Sequence, residues 1–72
     1  MEAQSIAERL RELREERGLS QSALARRANL TPAAINRIEM GKRSPTSETI
    51  GKLAAGLGVQ PGELFPPLVL TG

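Results

Sequence analysis

The 72-residue chain has no cysteine, histidine, aspartate, tryptophan or tyrosine, and its one aromatic residue is Phe65. Lacking cysteine and histidine, it has no disulfide staples, no thiol nucleophile, no imidazole base and none of the common zinc sites. Its eight carboxylates are all glutamates, spread along the chain with no pocket to shift their pKa values. No catalytic residue and no metal site is therefore expected, and the chain does not read as an enzyme. A single aromatic offers no stacking platform for single strands, so any nucleic acid it bound would be duplex. No apolar run is longer than Leu68-Val69-Leu70, far short of a membrane span. The start, Met1-Glu2-Ala3-Gln4, has neither the basic nor the apolar region of a signal peptide. The expectation is a soluble, cytoplasmic protein with no membrane partner.

At this length there is one small domain, and such a domain buries only roughly 60% of the surface its unfolded chain exposes. Either the core is efficient or a second subunit adds area. There is no room for a ligand pocket, so neither a cofactor nor a small-molecule ligand is expected. The net charge of +2 hides a gradient. Residues 1–17 carry four arginines against five glutamates, and residues 44–72 carry Lys52 against Glu48 and Glu63. Between them Arg26, Arg27, Arg37, Lys42 and Arg43 face Glu39 alone, giving this middle segment a net +4. Such asymmetry suits either a surface that meets a polyanion or a solvated basic loop.

Ile6, Leu10 and Leu13 recur at helical spacing, Ser5 and Glu8 form a capping-box pair, and Gly18 supplies a left-handed end. This predicts a first helix over about 6–17. Ser20 caps a second from Gln21 to about Ala28, with Leu19 as a hydrophobic staple and Asn29 breaking the pattern. Thr31-Pro32 starts a third helix over about 32–39, with Ile35 and Ile38 on one face and Gly41 ending it. After the loop Lys42-Arg43-Ser44-Pro45, Thr46 or Ser47 caps a fourth helix through Ile50, Leu53, Ala54 and Leu57 to Gly58. Pro61 opens a short fifth helix with Leu64 and Phe65 as core plugs, stopped by Pro66-Pro67. The class is all-α, with residues 1–65 as the domain and 66–72 as an apolar C-terminal tail that is either a dimer contact or disordered.

Residues 20–41 hold two short capped helices joined by a three- to four-residue turn. Helices joined so tightly cross steeply, which lets one lie along a duplex backbone while the other enters the major groove. This is a helix-turn-helix. The blocks Leu10-Arg11-Glu12-Leu13-Arg14, Gly18-Leu19-Ser20-Gln21, Leu24-Ala25, Ile35-Asn36-Arg37-Ile38-Glu39, Gly41-Lys42-Arg43-Ser44-Pro45, Leu53-Ala54, Leu57-Gly58-Val59 and Glu63-Leu64-Phe65 each stand at family spacing. In that order the chain resembles the phage Cro and repressor family of DNA-binding domains over about residues 6–65. The resemblance implies a compact five-helix, lambda-repressor-like DNA-binding domain that acts on transcription.

With Ile35 and Ile38 turned inward, Pro32, Ala33, Asn36 and Arg37 face the groove. Arg37 suits guanine O6 and N7 or else a phosphate, Asn36 suits adenine, and Ala33 offers a methyl to thymine. Well-studied relatives carry glutamines where Pro32 and Ala33 stand, so here the shape of the site can contribute more to recognition. Gln21, at the first turn of the second helix, is placed to donate to a phosphate, the role the resemblance assigns it. Thr31, Lys42 and Arg43 are further phosphate candidates; Arg26 and Arg27 are equally well read as solvated charge. The resemblance also pairs Arg14 with Glu39 as a structural ion pair. A homodimer is expected, through Val59, Leu64 and Phe65 with Leu68, Val69 and Leu70 of the tail, spacing two recognition helices by about one turn of DNA, ~34 Å. The alternative is a protein-interaction module, such as an antitoxin-type partner, whose apolar tail meets a foreign protein.

Overall fold

A computed structural model describes residues 5–65. It contains four α-helices, α1 (Ile6–Glu16), α2 (Gln21–Ala28), α3 (Pro32–Glu39) and α4 (Ser47–Leu57), followed by a 3-10 turn over Pro61–Leu64. The expected fifth helix is thus a single 3-10 turn. Its bonds run from Glu63 N to Gln60 O and from Phe65 N to Gly62 O, and Pro61 together with Pro66-Pro67 leaves too few residues for a longer ladder. There is no strand among the described residues, and no helix among them is long and apolar enough to cross a membrane.

Every α-helix begins on a hydroxyl cap. Ser5 Oγ accepts from Glu8 N while Glu8 Oε1 accepts from Ser5 N, closing a reciprocal capping box. Ser20, Thr31 and Thr46 each accept from the backbone N–H three residues on. Every α-helix also ends the same way. A left-handed residue follows it, namely Gly18, Asn29, Gly41 or Gly58. The next residue then donates its N–H five positions back, as Leu19 to Arg14 O, Leu30 to Ala25 O, Lys42 to Arg37 O and Val59 to Ala54 O. This closure stops α1 at Glu16, one residue before the sequence pattern suggested.

The core is a single cluster in which Leu10, Leu24, Ile35, Ile38, Leu53 and Leu64 are wholly buried. α2 lies against both α3 and α4, and α1 packs on α3 and on the 3-10 turn. Long polar side chains tie these pieces together. Arg17 Nε donates to Leu57 O at 2.7 Å, satisfying a carbonyl at the end of α4, and Arg9 Nε donates to Glu63 O at 2.9 Å in the 3-10 turn. The frame leaves α3 buried on one face and open on the other.

Candidate nucleic-acid interface

The inner face of α3 is fixed by Ile35 and Ile38, which are buried, so its outer face is set by the 3.6-residue repeat. Pro32, Ala33, Asn36 and Arg37 are all exposed on that outer face. The Thr31 hydroxyl at its start accepts from Ala34 N at 3.1 Å, leaving its own proton free to donate outward. Lys42 and Arg43, just past the left-handed Gly41, are exposed as well.

The cations of the chain divide into two groups. Those of α1 and its C-terminal cap, with Lys52 of α4, are engaged: Arg9 with Glu12, Arg11 and Arg14 with Glu39, Arg17 with Glu16 and two backbone carbonyls, and Lys52 with Glu48. Arg26, Arg27, Arg37, Lys42 and Arg43 form no ion pair with any described residue. The one carboxylate in their segment, Glu39, is turned inward. Among the described residues the five charges therefore stand uncompensated around α3 and the ends of its neighbours, a pattern that draws anions.

Glu39 itself is the one buried charged residue among those described. Arg14 meets it with two bonds, Nε to Oε2 at 2.6 Å and Nη2 to Oε1 at 3.0 Å. Arg14 Nη1 reaches Leu19 O at 2.8 Å, so the same guanidinium ties α1, the α1–α2 turn and α3. The bond to Glu39 holds the Arg14 pKa above its ordinary value. Arg11 Nε stands 3.7 Å from Glu39 Oε1, a second cation that helix periodicity alone does not single out.

Gln21 is half-buried rather than free at the start of α2. Its Nε2 donates to Glu39 Oε1 at 3.1 Å and its Oε1 accepts from Asn36 Nδ2 at 3.5 Å. Gln21 and Asn36 are 15 residues apart, so only the crossing of α2 over α3 brings them together. Nothing in the sequence pattern marks that contact.

Of the residues expected at a dimer surface, Val59 is partly buried against the core, and Phe65, also expected to plug the core, is instead 49% exposed. Leu64 is a correction. It is wholly buried beneath the 3-10 turn, where it fills the core, and offers no side chain to a partner. Leu68, Val69 and Leu70 lie outside the described residues. Met40, which the sequence reading passed over, is the other large exposed apolar side chain among the described residues, at 55%. Two open grooves flank the start of α1, one along Gly41, Arg43 and Pro45 and one along Ile50, Pro61 and Phe65; neither includes Pro32, Ala33, Asn36 or Arg37.

Two short capped helices crossing at a left-handed asparagine, with the second presenting an open polar face, define a helix-turn-helix protein. The helix-turn-helix family model matches residues 10–64, and the chain belongs to that family, in its Cro/C1-repressor branch. It is 47% identical over 57 residues to the HTH-type transcriptional repressor RghR of Bacillus subtilis, covering 78% of this chain and 42% of that protein. The restriction-modification controller protein C.AhdI of Aeromonas hydrophila superposes with a TM-score of 0.81 at 42% identity, covering 83% of this chain and 91% of the other. The DNA-binding domain of the P22 c2 repressor superposes with a TM-score of 0.83 at 28% identity, covering 89% and 84%. The chain spans about half the length of the curated relatives it matches.

Proposed function

We propose that the chain is a sequence-specific regulator of transcription, a repressor, that binds a two-fold symmetric duplex operator as a homodimer. The observation that carries this reading is the exposed outer face of α3 flanked by cations without carboxylate partners among the described residues. α3 enters the major groove. Arg37 donates to guanine and Asn36 pairs with adenine, while Pro32 and Ala33 lie against the groove wall. Thr31, Lys42 and Arg43 hold phosphates on either side, and the remaining amide proton of Gln21 reaches another, beside the N-terminus of α2. Val59, Phe65 and the 66–72 segment supply the contact between subunits. The repressors and the controller protein among its relatives support this assignment.

The test is selection of binders from a randomised duplex pool at near-physiological salt, repeated with Arg37→Ala. The expected result is a symmetric consensus that relaxes at one position per half-site in the variant. Binding without enrichment would reduce the protein to a backbone-gripping module. No binding would bring forward the antitoxin-type alternative.

A further inference from the structure

One side chain connects the outer face of α3 to the buried charge of the molecule. The Glu39 carboxylate is sealed from solvent and receives two bonds from Arg14 and a third from Gln21 Nε2. Gln21 Oε1 in turn accepts from Asn36 Nδ2, the longest link at 3.5 Å. The chemistry of each group fixes the direction of the chain. An ionised carboxylate only accepts, so the Gln21 amide must turn its nitrogen inward and its oxygen outward. That oxygen also only accepts, so Asn36 must turn its nitrogen toward it. Asn36 is left with one N–H and its whole Oδ1 at the exposed surface, a donor and an acceptor in a set order.

We infer that Gln21 is a positioning residue for Asn36, and that through it the buried Glu39 carboxylate sets which way round the Asn36 amide meets a base. The inference rests on the reading of α3 as the base-contacting helix. An unrestrained asparagine amide turns over and exchanges its donor and acceptor. Held as it is here, Asn36 keeps one proton for Gln21 and one for adenine N7, while Oδ1 accepts from adenine N6. Gln21 thus acts on sequence preference without itself touching a base, in addition to any phosphate it touches.

The test separates orientation from affinity. Asn36→Ala first identifies the base pair that Asn36 reads, as the position where preference falls. Gln21→Met keeps the length of the side chain and removes both of its hydrogen-bonding groups, while the Arg14–Glu39 pair stays in place. Gln21→Met should lower preference at that same position from roughly tenfold or more to about two- or threefold, with the other positions unchanged. Loss of a phosphate contact would instead weaken binding to all sequences alike. The double variant should lose no more at that position than Asn36→Ala does. A second readout needs no DNA. In the free protein the Asn36 side-chain amide protons, followed by NMR, should exchange with water faster in Gln21→Met than in the unaltered chain. Uniform weakening with preference intact, or unchanged exchange rates, would overturn the inference. Altered exchange in a protein that binds no duplex would leave the hydrogen-bond chain standing and overturn its use on DNA, together with the reading of α3.

Discussion

Gly56 lies against Ala28 so closely that a Cβ built on it would stand 3.1 Å from both the Ala28 Cβ and the Ala28 backbone nitrogen. The approach of α4 to α2 thus depends on a missing methyl group. Gly51, five residues earlier in α4, faces open space. The same exchange at the two positions should have opposite signs. Gly51→Ala should stabilise by up to about 1 kcal/mol through helix propensity. Gly56→Ala should destabilise by about 1–2 kcal/mol, because overpacking outweighs that gain. Urea denaturation of the two variants decides it.

Arg14 and Glu39 should each be costly to remove. The Glu39 side chain has no solvent exposure and that of Arg14 is 13% exposed. Truncating Glu39 leaves the Arg14 charge without its partner, and truncating Arg14 leaves the buried Glu39 with only Gln21 and the more distant Arg11, at about 3–5 kcal/mol for either. Arg14→Met combined with Glu39→Leu should recover much of the loss, since no uncompensated charge remains. A thermal melt in which the double variant is no more stable than the singles would contradict this.

Acid should silence one helix cap. The Ser5 backbone N–H donates to Glu8 and holds its carboxyl below the ordinary value of 4.5, with the Ser5 hydroxyl contributing less. Because the folded pKa is lowered, the stabilisation is fully present above the unfolded value and is lost as pH falls through the folded one. Glu8→Ala should therefore melt below the unaltered protein at neutral pH. The gap should close as the pH falls from the ordinary value of 4.5 through the lowered folded one.

Lys42 and Arg43 should act on DNA through charge alone. Each alanine variant should reduce the slope of log K against log salt by about 1 and leave base preference as it was. Arg9→Ala provides the contrast, since its guanidinium is bound to Glu12 and to Glu63 O. It should leave the salt slope unchanged. Anisotropy titrations at several salt concentrations measure all three.

Local features of this fold were legible in the sequence, and the reason is distance along the chain. Hydroxyl caps and left-handed ends involve residues three to five apart, so Ser5, Ser20, Thr31, Gly18, Asn29 and Gly41 announced the helix boundaries within about one residue. The outward face of α3 followed from Ile35 and Ile38 by periodicity. What escaped involved distant partners. Arg17 meets Leu57 O across 40 residues and Gln21 meets Asn36 across 15, and neither spacing leaves a periodic trace. Leu64 was read both as a core plug and as a dimer contact, because an apolar residue near the end of a helical pattern looks the same whether it caps the core or waits for a partner; the core reading is the one the structure bears out. The pairing of Arg14 with Glu39 came from the family resemblance, since no local rule links residues 25 apart.

The four helix endings carry a consequence of their own. Three of the residues that follow the left-handed position are apolar, and Leu19, Leu30 and Val59 all press against the core. At the fourth, the end of α3, the equivalent residue is the exposed Lys42. The backbone there is secured by the same hydrogen bond, yet the side chain has been released from packing. On the proposed reading of Lys42 as a phosphate contact, position 42 is a place where the strength of DNA binding can drift without endangering the fold, one charge at a time.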